Sequence, residues 1–551
     1  MRGFNRALAL ITTVTLSASC ILTAGQPAGG SLSVGESFRI YPSMVSQSET
    51  FIARHPGNHS ILFVSANTIN LMTGFVSEGV YVSTDAGTSW RGSDTCSGTP
   101  INFHGGDPGI AIDKDGRFVL IRLGNTVDGL YSHFSTDNGL TWSSQRTVTL
   151  NQQDRATCAS DGNPASPYYG RSYAAWVEFA IPYPVRFVFT DDGAANWSSP
   201  SQINNPPQRS QGGEIAIASD GRVHVTWAAV LNQSPFSEDF AGFASSTNGG
   251  SSWTVTENAF DMNGITGVLP EKANIRVNGL PRIDVDNSGG TRHNWIYIVT
   301  GERGITPAGN DADILLHRST DRGASWSAGI RVNQDPLNNG KLQYFPVVHV
   351  DQGGGVNVLY YDDRTTTSDS ASVFLSRSTD GGSTWSDYEV SDHHFKPLPI
   401  GGLGQGYQGD NIGLSSVGDT LWAVWMDNST GIYQVWASPI DLESLGTSVD
   451  QETALPFAFG LAQNYPNPFN PGTTIPYQIP RASIVTLTIY DVLGREIATV
   501  VNEPRGPGFH EAKWDASDHA SGVYYYRLKA FHQDGGESGG FVETKKLLLV
   551  R

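Results

Sequence analysis

Glu49, Asp107, Glu214, Arg282, Tyr344, Tyr407 and Asp410 are spread over most of the chain, and their side chains suit bond-breaking chemistry. Two carboxylates such as Asp107 and Glu214 can act as general acid and general base. A tyrosine with an ordinary pKa near ~10 becomes a useful nucleophile only beside a carboxylate, so Glu214 paired with Tyr407 is a second arrangement, with Tyr344 as the other candidate tyrosine. Arg282, Glu49, Tyr344 and Asp410 supply charge and hydrogen bonds for holding a substrate. Only a fold that gathers distant positions can bring these residues together.

The elements that would do so are short strands. Entries into apolar runs read Glu49-Thr50-Phe51-Ile52-Ala53, Asp107-Pro108-Gly109-Ile110-Ala111, Glu214-Ile215-Ala216-Ile217, Pro281-Arg282-Ile283-Asp284-Val285 and Tyr344-Phe345-Pro346-Val347-Val348, with a blurred one between Asp161 and Tyr169. A seventh, Asp410-Asn411-Ile412-Gly413-Leu414, leads to Leu421–Trp425 and Ile432–Ala437. With 62 Gly, 13 Trp and no long run of helix formers in 551 residues, the chain is expected to be all-β.

An eight-residue signature recurs. Ser83 to Trp90 (STDAGTSW) returns at Ser135 to Trp142, Ser319 to Trp326 and Ser378 to Trp385. Degenerate copies stand at Ser246 to Trp253, with Asn248 for Asp, and at Thr190 to Trp197, where the spacing reads as slipped by one. Successive starts are 52, 55, 56, 73 and 59 residues apart, which is room for four short strands per unit. In each copy the Asp and the Ser or Thr can bond backbone amides, the Gly permits a positive φ, and the Trp anchors neighbouring sheets.

These units resemble the Asp-box repeats of sialidase-like β-propellers over about residues 38–441. The resemblance implies a propeller with the boxes on its rim, away from an axial site. Seven entries favour seven blades, the last closed by an N-terminal strand near Phe38 to Val45, with six blades as the alternative. In such a propeller the entry residues ring one central funnel, where they would either converge on a ligand or bond exposed backbone at strand ends.

Phe38-Arg39-Ile40-Tyr41-Pro42 is similar to the Arg-Ile-Pro motif of exo-sialidases, but 22 residues separate Arg39 from Ile61, so Arg39 reads as part of the outer closing strand. There is no Asp between Arg54 and Tyr81, where that family places its acid/base, and only Arg282 among the remaining arginines holds an entry position. Three readings follow: a propeller that recognises extracellular glycans; an exo-acting glycoside hydrolase with Glu214 and Tyr407 as nucleophile pair; and a surface scaffold or adhesin.

The ends of the chain speak to delivery. Residues 1–30 open with Arg2 and Arg6, continue through an apolar run from Ala7 to Leu16 and turn small and polar, the layout of a secretory signal. Cleavage after Ala24 and acylation at Cys20 are both open. That leaves Cys96 and Cys158 as a potential disulfide pair in an oxidising compartment. A net charge of −18 disfavours nucleic acid and anionic membranes, and no later stretch is apolar enough to span a bilayer.

After a connector over residues 442–462, residues 463–551 carry Gln463-Asn464-Tyr465-Pro466-Asn467-Pro468-Phe469-Asn470-Pro471, then Tyr490-Asp491-Val492-Leu493-Gly494-Arg495, Trp514-Asp515-Ala516 and Ser521 to Arg527. Val485, Leu487 and Ile489 alternate with polar residues, as in a small Ig-like β-sandwich. The run closely resembles the C-terminal sorting domain of proteins exported by the type IX secretion system. This implies export to the surface or surroundings and a partner in the secretion machinery. No cofactor is expected, and no metal: His393-His394 lacks a third ligand, and Asp284 to Gly289 lacks the closing Glu of a calcium loop.

Overall fold

The computed structural model describes residues 32–98, 101–234, 236–401, 406–442, 459–480, 482–506, 508–532 and 541–550. The expected signal segment, with Cys20, lies outside them. The chain divides into two compact units, residues 1–445 and 446–551.

The first unit is a seven-bladed propeller. Six antiparallel sheets contain four strands each, and their innermost strands are Ser46–Arg54, Gly109–Ile112, Thr157–Ser160, Arg209–Ile217, Arg282–Val285 and Gln343–Val350. The seventh sheet combines Gly413–Val417, Thr420–Asp427 and Gln434–Asp441 with the N-terminal strands Ser33–Val34 and Phe38–Arg39. The innermost strands touch in cyclic order, and the seventh meets the first, so the ring is closed. The N-terminal strands complete the last blade, where Arg39 pairs with Trp436 on the outer edge.

The second strand of each blade is packed on both faces by neighbouring blades. Leu62, Phe63, Val64 and Ala66 in the first blade and Val223, Val225 and Trp227 in the fourth are fully buried. This is why these strands read as apolar runs rather than alternating ones. The third blade departs from expectation, since its inner strand is Thr157–Ser160 and not a segment after Asp161. Gly162 to Gly170 instead forms a turn-rich loop on the way to Ser172–Val177.

All six boxes close in the same way. In the first, Ser83 Oγ donates to Asp85 Oδ1 at 2.8 Å and accepts from the Gly87 amide at 2.8 Å, while the Ser89 amide donates to Asp85 Oδ1 at 2.9 Å. The Thr190 copy is not slipped. Thr190 Oγ1 accepts from the Ala194 amide at 3.1 Å and Asp192 Oδ1 from the Asn196 amide at 2.9 Å, with Ala194 in the glycine place at φ 66°. The glycine also serves packing: a Cβ on Gly87 would stand 2.0 Å from Trp422 and one on Gly250 2.1 Å from Phe187. Each box tryptophan leans on the preceding blade, as in Trp253 on Phe187 at 4.9 Å and Trp326 on Phe243 at 5.1 Å.

Cys96 and Cys158 are both free thiols, which corrects the expected pairing. Cys96 is sealed in the core between the first two blades, whereas Cys158 lies on the inner strand of the third.

The second unit is a sandwich of two sheets. One holds Gly460–Leu461, Gly472–Ile479 and Gly508–Asp515, and the other Glu496–Arg505, Ser483–Tyr490, Gly522–His532 and Phe541–Leu549. Its first strand thus falls within the stretch read as connector. Val485, Leu487 and Ile489 are fully buried against Ile475, Tyr477 and Ile479.

Candidate functional site

Inner strands begin at the funnel and end at the opposite face, and their starting ends are not regular. The ladder slips between Ser48 and Phe51, between Gln211 and Glu214, and between Tyr344 and Val347. Glu49 and Asp107 both adopt φ 53°, a left-handed conformation that costs a non-glycine residue about 1–3 kcal/mol. Both line a cavity of about 480 Å³, together with Asn67, Asp154, Arg155, Arg209, Arg276, Tyr407 and Asp410.

On one wall, Asn67 from the second strand of the first blade ties two carboxylates together. Its Nδ2 donates to Asp107 Oδ1 at 2.8 Å and to Glu49 Oε2 at 3.2 Å, so these two oxygens lie within about 6 Å of each other. The Asp107 amide donates to Asn67 Oδ1. Burial, then the neighbouring carboxylates Asp107 and Asp410, push the Glu49 pKa well above the usual carboxylate range. Burial also raises Asp107, to about 6, against the lowering effect of the Asn67 hydrogen bond. Asp154 is raised by burial as well.

Arg155 and Asp410 on the cavity lining are backed by a charge lattice. Arg282 Nη1 and Arg155 Nη2, the latter at 3.1 Å, share Glu214 Oε1. Asn411 Oδ1 accepts from Arg155 at 2.8 Å and from Arg282 at 2.6 Å. Asp410 accepts from Asn278 at 2.6 Å and Asn411 at 2.7 Å. Although burial works against it, Glu214, Asp410 and Asp154 raise the pKa of Arg155, so its charge is fixed. The Arg276 guanidinium stands 4.5 Å over the Tyr407 ring.

The residues expected from sequence therefore divide. Glu49, Asp107, Tyr407 and Asp410 line the cavity, whereas Glu214 and Arg282 do not and form the ion pair behind it. Glu214 is engaged by two arginines, and the groups acting on the Tyr407 phenol are Asp410, Arg276, Asn278 and Glu49. Burial, then Asp410, raises the Tyr407 pKa, the opposite of what an activated nucleophile requires. The Glu214–Tyr407 pair is thus not formed. Tyr344 is fully buried, stacked 5.3 Å from Tyr361 in the core, because the left-handed turn at Phe345 displaces the entry by one residue.

Asp286 caps its own turn through the Ser288 amide at 2.9 Å, and His393 sits between Asp392 at 2.8 Å and Asp427 at 3.0 Å. Among the described residues no group of three or more His, Cys, Asp or Glu is gathered as a metal site would require.

Arg155 and Asp154 precede the third inner strand, upstream of the entry expected between Asp161 and Tyr169; Gln153-Asp154-Arg155-Ala156-Thr157 has the same form as the other entries and is the signal for them. Arg276 lies on a hairpin, Gly267–Leu269 paired with Ile275–Val277, inserted between the fourth and fifth blades. The 73-residue box spacing was its signal. Lys272 anchors this hairpin, donating to Asp363 at 2.7 Å and to the Ser368 and Ser370 carbonyls at 2.9 Å, with both charged side chains fully buried. The Arg276 amide bonds the Gly406 carbonyl at 2.7 Å.

Residues 463–535 match the family model described as the secretion system C-terminal sorting domain. The C-terminal unit carries a sorting domain. Such a domain marks proteins sent by the type IX system to the cell surface or extracellular space, which sets this chain's destination and gives it a partner in the secretion machinery. Among solved structures the chain is similar to a polysaccharide lyase, an ulvan lyase (11% identity, 75% of this chain and 98% of that one, TM-score 0.45). It is also similar to the intramolecular trans-sialidase from Ruminococcus gnavus (12%, 61% and 93%, TM-score 0.39) and to Penicillium chrysogenum alpha-L-arabinanase (11%, 76% and 100%, TM-score 0.38). No curated protein matches. Among the described residues no helix is long and apolar enough to cross a membrane.

Proposed function

We propose that the exported propeller binds an extracellular glycan in its funnel and cleaves it there, with Glu49 and Asp107 as the reacting carboxylates. The observation that carries this reading is the Asn67 bridge, which holds two half-buried carboxyl groups with raised pKa values within about 6 Å in an open cavity. Glu49, whose pKa burial and the neighbouring carboxylates push well above the usual carboxylate range, serves as general acid to the leaving oxygen. Asp107, near 6, is ionised at neutral pH and serves as nucleophile. A separation of at most about 6 Å falls short of the ~6.5–9.5 Å of inverting glycosidases, so retention of configuration is the expected outcome. Asp154 and Asp410 add negative charge where an oxocarbenium-like transition state becomes positive. Glu214 has a positioning role, neutralising Arg155 and Arg282 so that the wall holds its shape.

The test is a panel of polysaccharides and aryl glycosides given to the purified protein and to its Glu49→Gln and Asp107→Asn variants, with new reducing ends and bound glycan both measured. Turnover by the parent, lost in both variants while binding persists, supports the proposal. Unchanged turnover in the variants removes these residues from the chemistry, and a parent that neither binds nor cleaves any glycan removes the funnel reading altogether.

A further inference from the structure

The arginines of the funnel are not equivalent. Arg155 and Arg282 share Glu214, and Arg276 lies over Tyr407. Arg209, which opens the inner strand of the fourth blade and lines the same cavity, has no carboxylate in ion-pair reach and no hydrogen-bond acceptor for its side chain among the described residues. It is held instead between two rings, 5.1 Å from the centroid of Tyr183 and 5.3 Å from that of Phe236. Its Nε is sealed from solvent without an acceptor, an orphan donor that costs about 1–3 kcal/mol.

The two rings are placed at a cost of their own. Tyr183 and Phe236 both adopt left-handed backbone, at φ 64° and 62°, each closing a tight turn through its amide to Ala180 and Gln233. Ring-bearing residues in this conformation are uncommon, and such strain collects at binding sites. Phe236 remains 47% exposed and the neighbouring Phe179, which lines the cavity, 46%. A planar guanidinium clamped between aromatic faces keeps its donor edge free, an arrangement that suits a bidentate oxyanion next to a stacked sugar ring.

Building on the proposed glycan reading, we infer that this rim of the third and fourth blades is an outer subsite for an anionic sugar residue, its carboxylate or sulfate received by Arg209 and its ring by Phe179 and Phe236. The reacting carboxylates belong to the first two blades, so the anionic residue is received on the next blades around the ring, in the same cavity as the scissile bond. The chain's net charge of −18 repels polyanions in general, so an affinity for one has to come from a local cation such as this.

The test measures binding in the Glu49→Gln background, so that probes are not consumed. Two matched pairs are used, dextran against dextran sulfate and methyl-esterified against de-esterified polygalacturonate, which separates sulfate from carboxylate. At least one anionic member should bind about tenfold or more tightly than its neutral partner, the size of one charge-assisted pair. Arg209→Gln should erase that preference, Arg209→Lys should keep part of it, and added salt should weaken it. Phe236→Ala, which leaves the charge in place, should weaken both members of a pair. Equal binding within both pairs, or a preference that survives in Arg209→Gln with unchanged thermal stability, overturns the outer subsite and leaves the funnel reading standing. Failure of every polymer to bind overturns both.

Discussion

Each blade has two ends, and they are built on opposite plans. At the box end, six turns repeat one set of hydrogen bonds from a Ser or Thr, an Asp or Asn and a packed Trp, and even the copy with Ala194 in place of glycine holds the same geometry. At the funnel end the side chains differ from entry to entry, a one-residue bulge interrupts three of the inner strands but not the others, and carboxylates stand half-buried where desolvation raises their pKa. Repetition marks scaffold, because every blade must solve the same packing problem. Departures from it mark the place where groups from different blades meet one ligand.

This contrast can be broken or sharpened by mutation. The largest expected effect is at the funnel, where Glu49→Gln should lower turnover by about 10²–10⁴-fold, the usual worth of a general acid, without lowering the melting temperature. Next is the buried Lys272–Asp363 pair, whose disruption by Lys272→Met strands a buried carboxylate; denaturant titration should show a loss of about 3–5 kcal/mol and glycan assays a raised KM as the Arg276 hairpin loosens. Asp137→Ala in the second box removes hydrogen bonds to Ser135 and to the Thr141 amide and should cost about 1–2 kcal/mol in the same titration, with kcat unchanged. An effect of Asp137→Ala on kcat as large as that of Glu49→Gln would erase the distinction between the two ends.

The smallest effects are pH-dependent and of opposite sign at the two ends. Asp380 in the sixth box is held at about 2, chiefly by its backbone and side-chain bonds to Thr384 against the opposing effect of partial burial. A depressed folded pKa gives stability that is present above the unfolded value and lost as pH falls towards about 2, so Asp380→Asn should flatten the acid side of a melting-temperature profile. Glu238, which accepts from the Gly279 amide at 2.8 Å, is raised by burial to about 8. Its contribution is complete below the unfolded value near 4.5 and lost as pH rises through about 8, so Glu238→Gln should flatten the alkaline side. Turnover should follow a third course, rising through about pH 6 as Asp107 ionises and falling when Glu49 releases its proton.

Much of the propeller was legible in the sequence for the same reason that the boxes repeat: a local motif with its own hydrogen bonds announces itself wherever it stands. The seventh blade could be found by its entry at Asp410 to Leu414 and its closure by Phe38, although it has no box. Ring position was legible too, and it put Glu49, Asp107, Tyr407 and Asp410 in the funnel. Partnership was not. Nothing near Glu214 in the chain shows that Arg155 and Arg282 would claim it, because that lattice joins four segments spread over some 250 residues. Asn67 lies within a second strand, where the pattern reads only as core, and a one-residue bulge is enough to bury Tyr344.

The most direct test of the central claim sets Glu49→Gln beside Asp137→Ala in one assay, reading the rate of reducing-end release on the best glycan substrate of the parent protein. The account predicts that the funnel variant loses at least about a hundredfold while the box variant matches the parent. Release by Glu49→Gln at the parental rate, from protein that is folded and substrate that is cleaved, would contradict it.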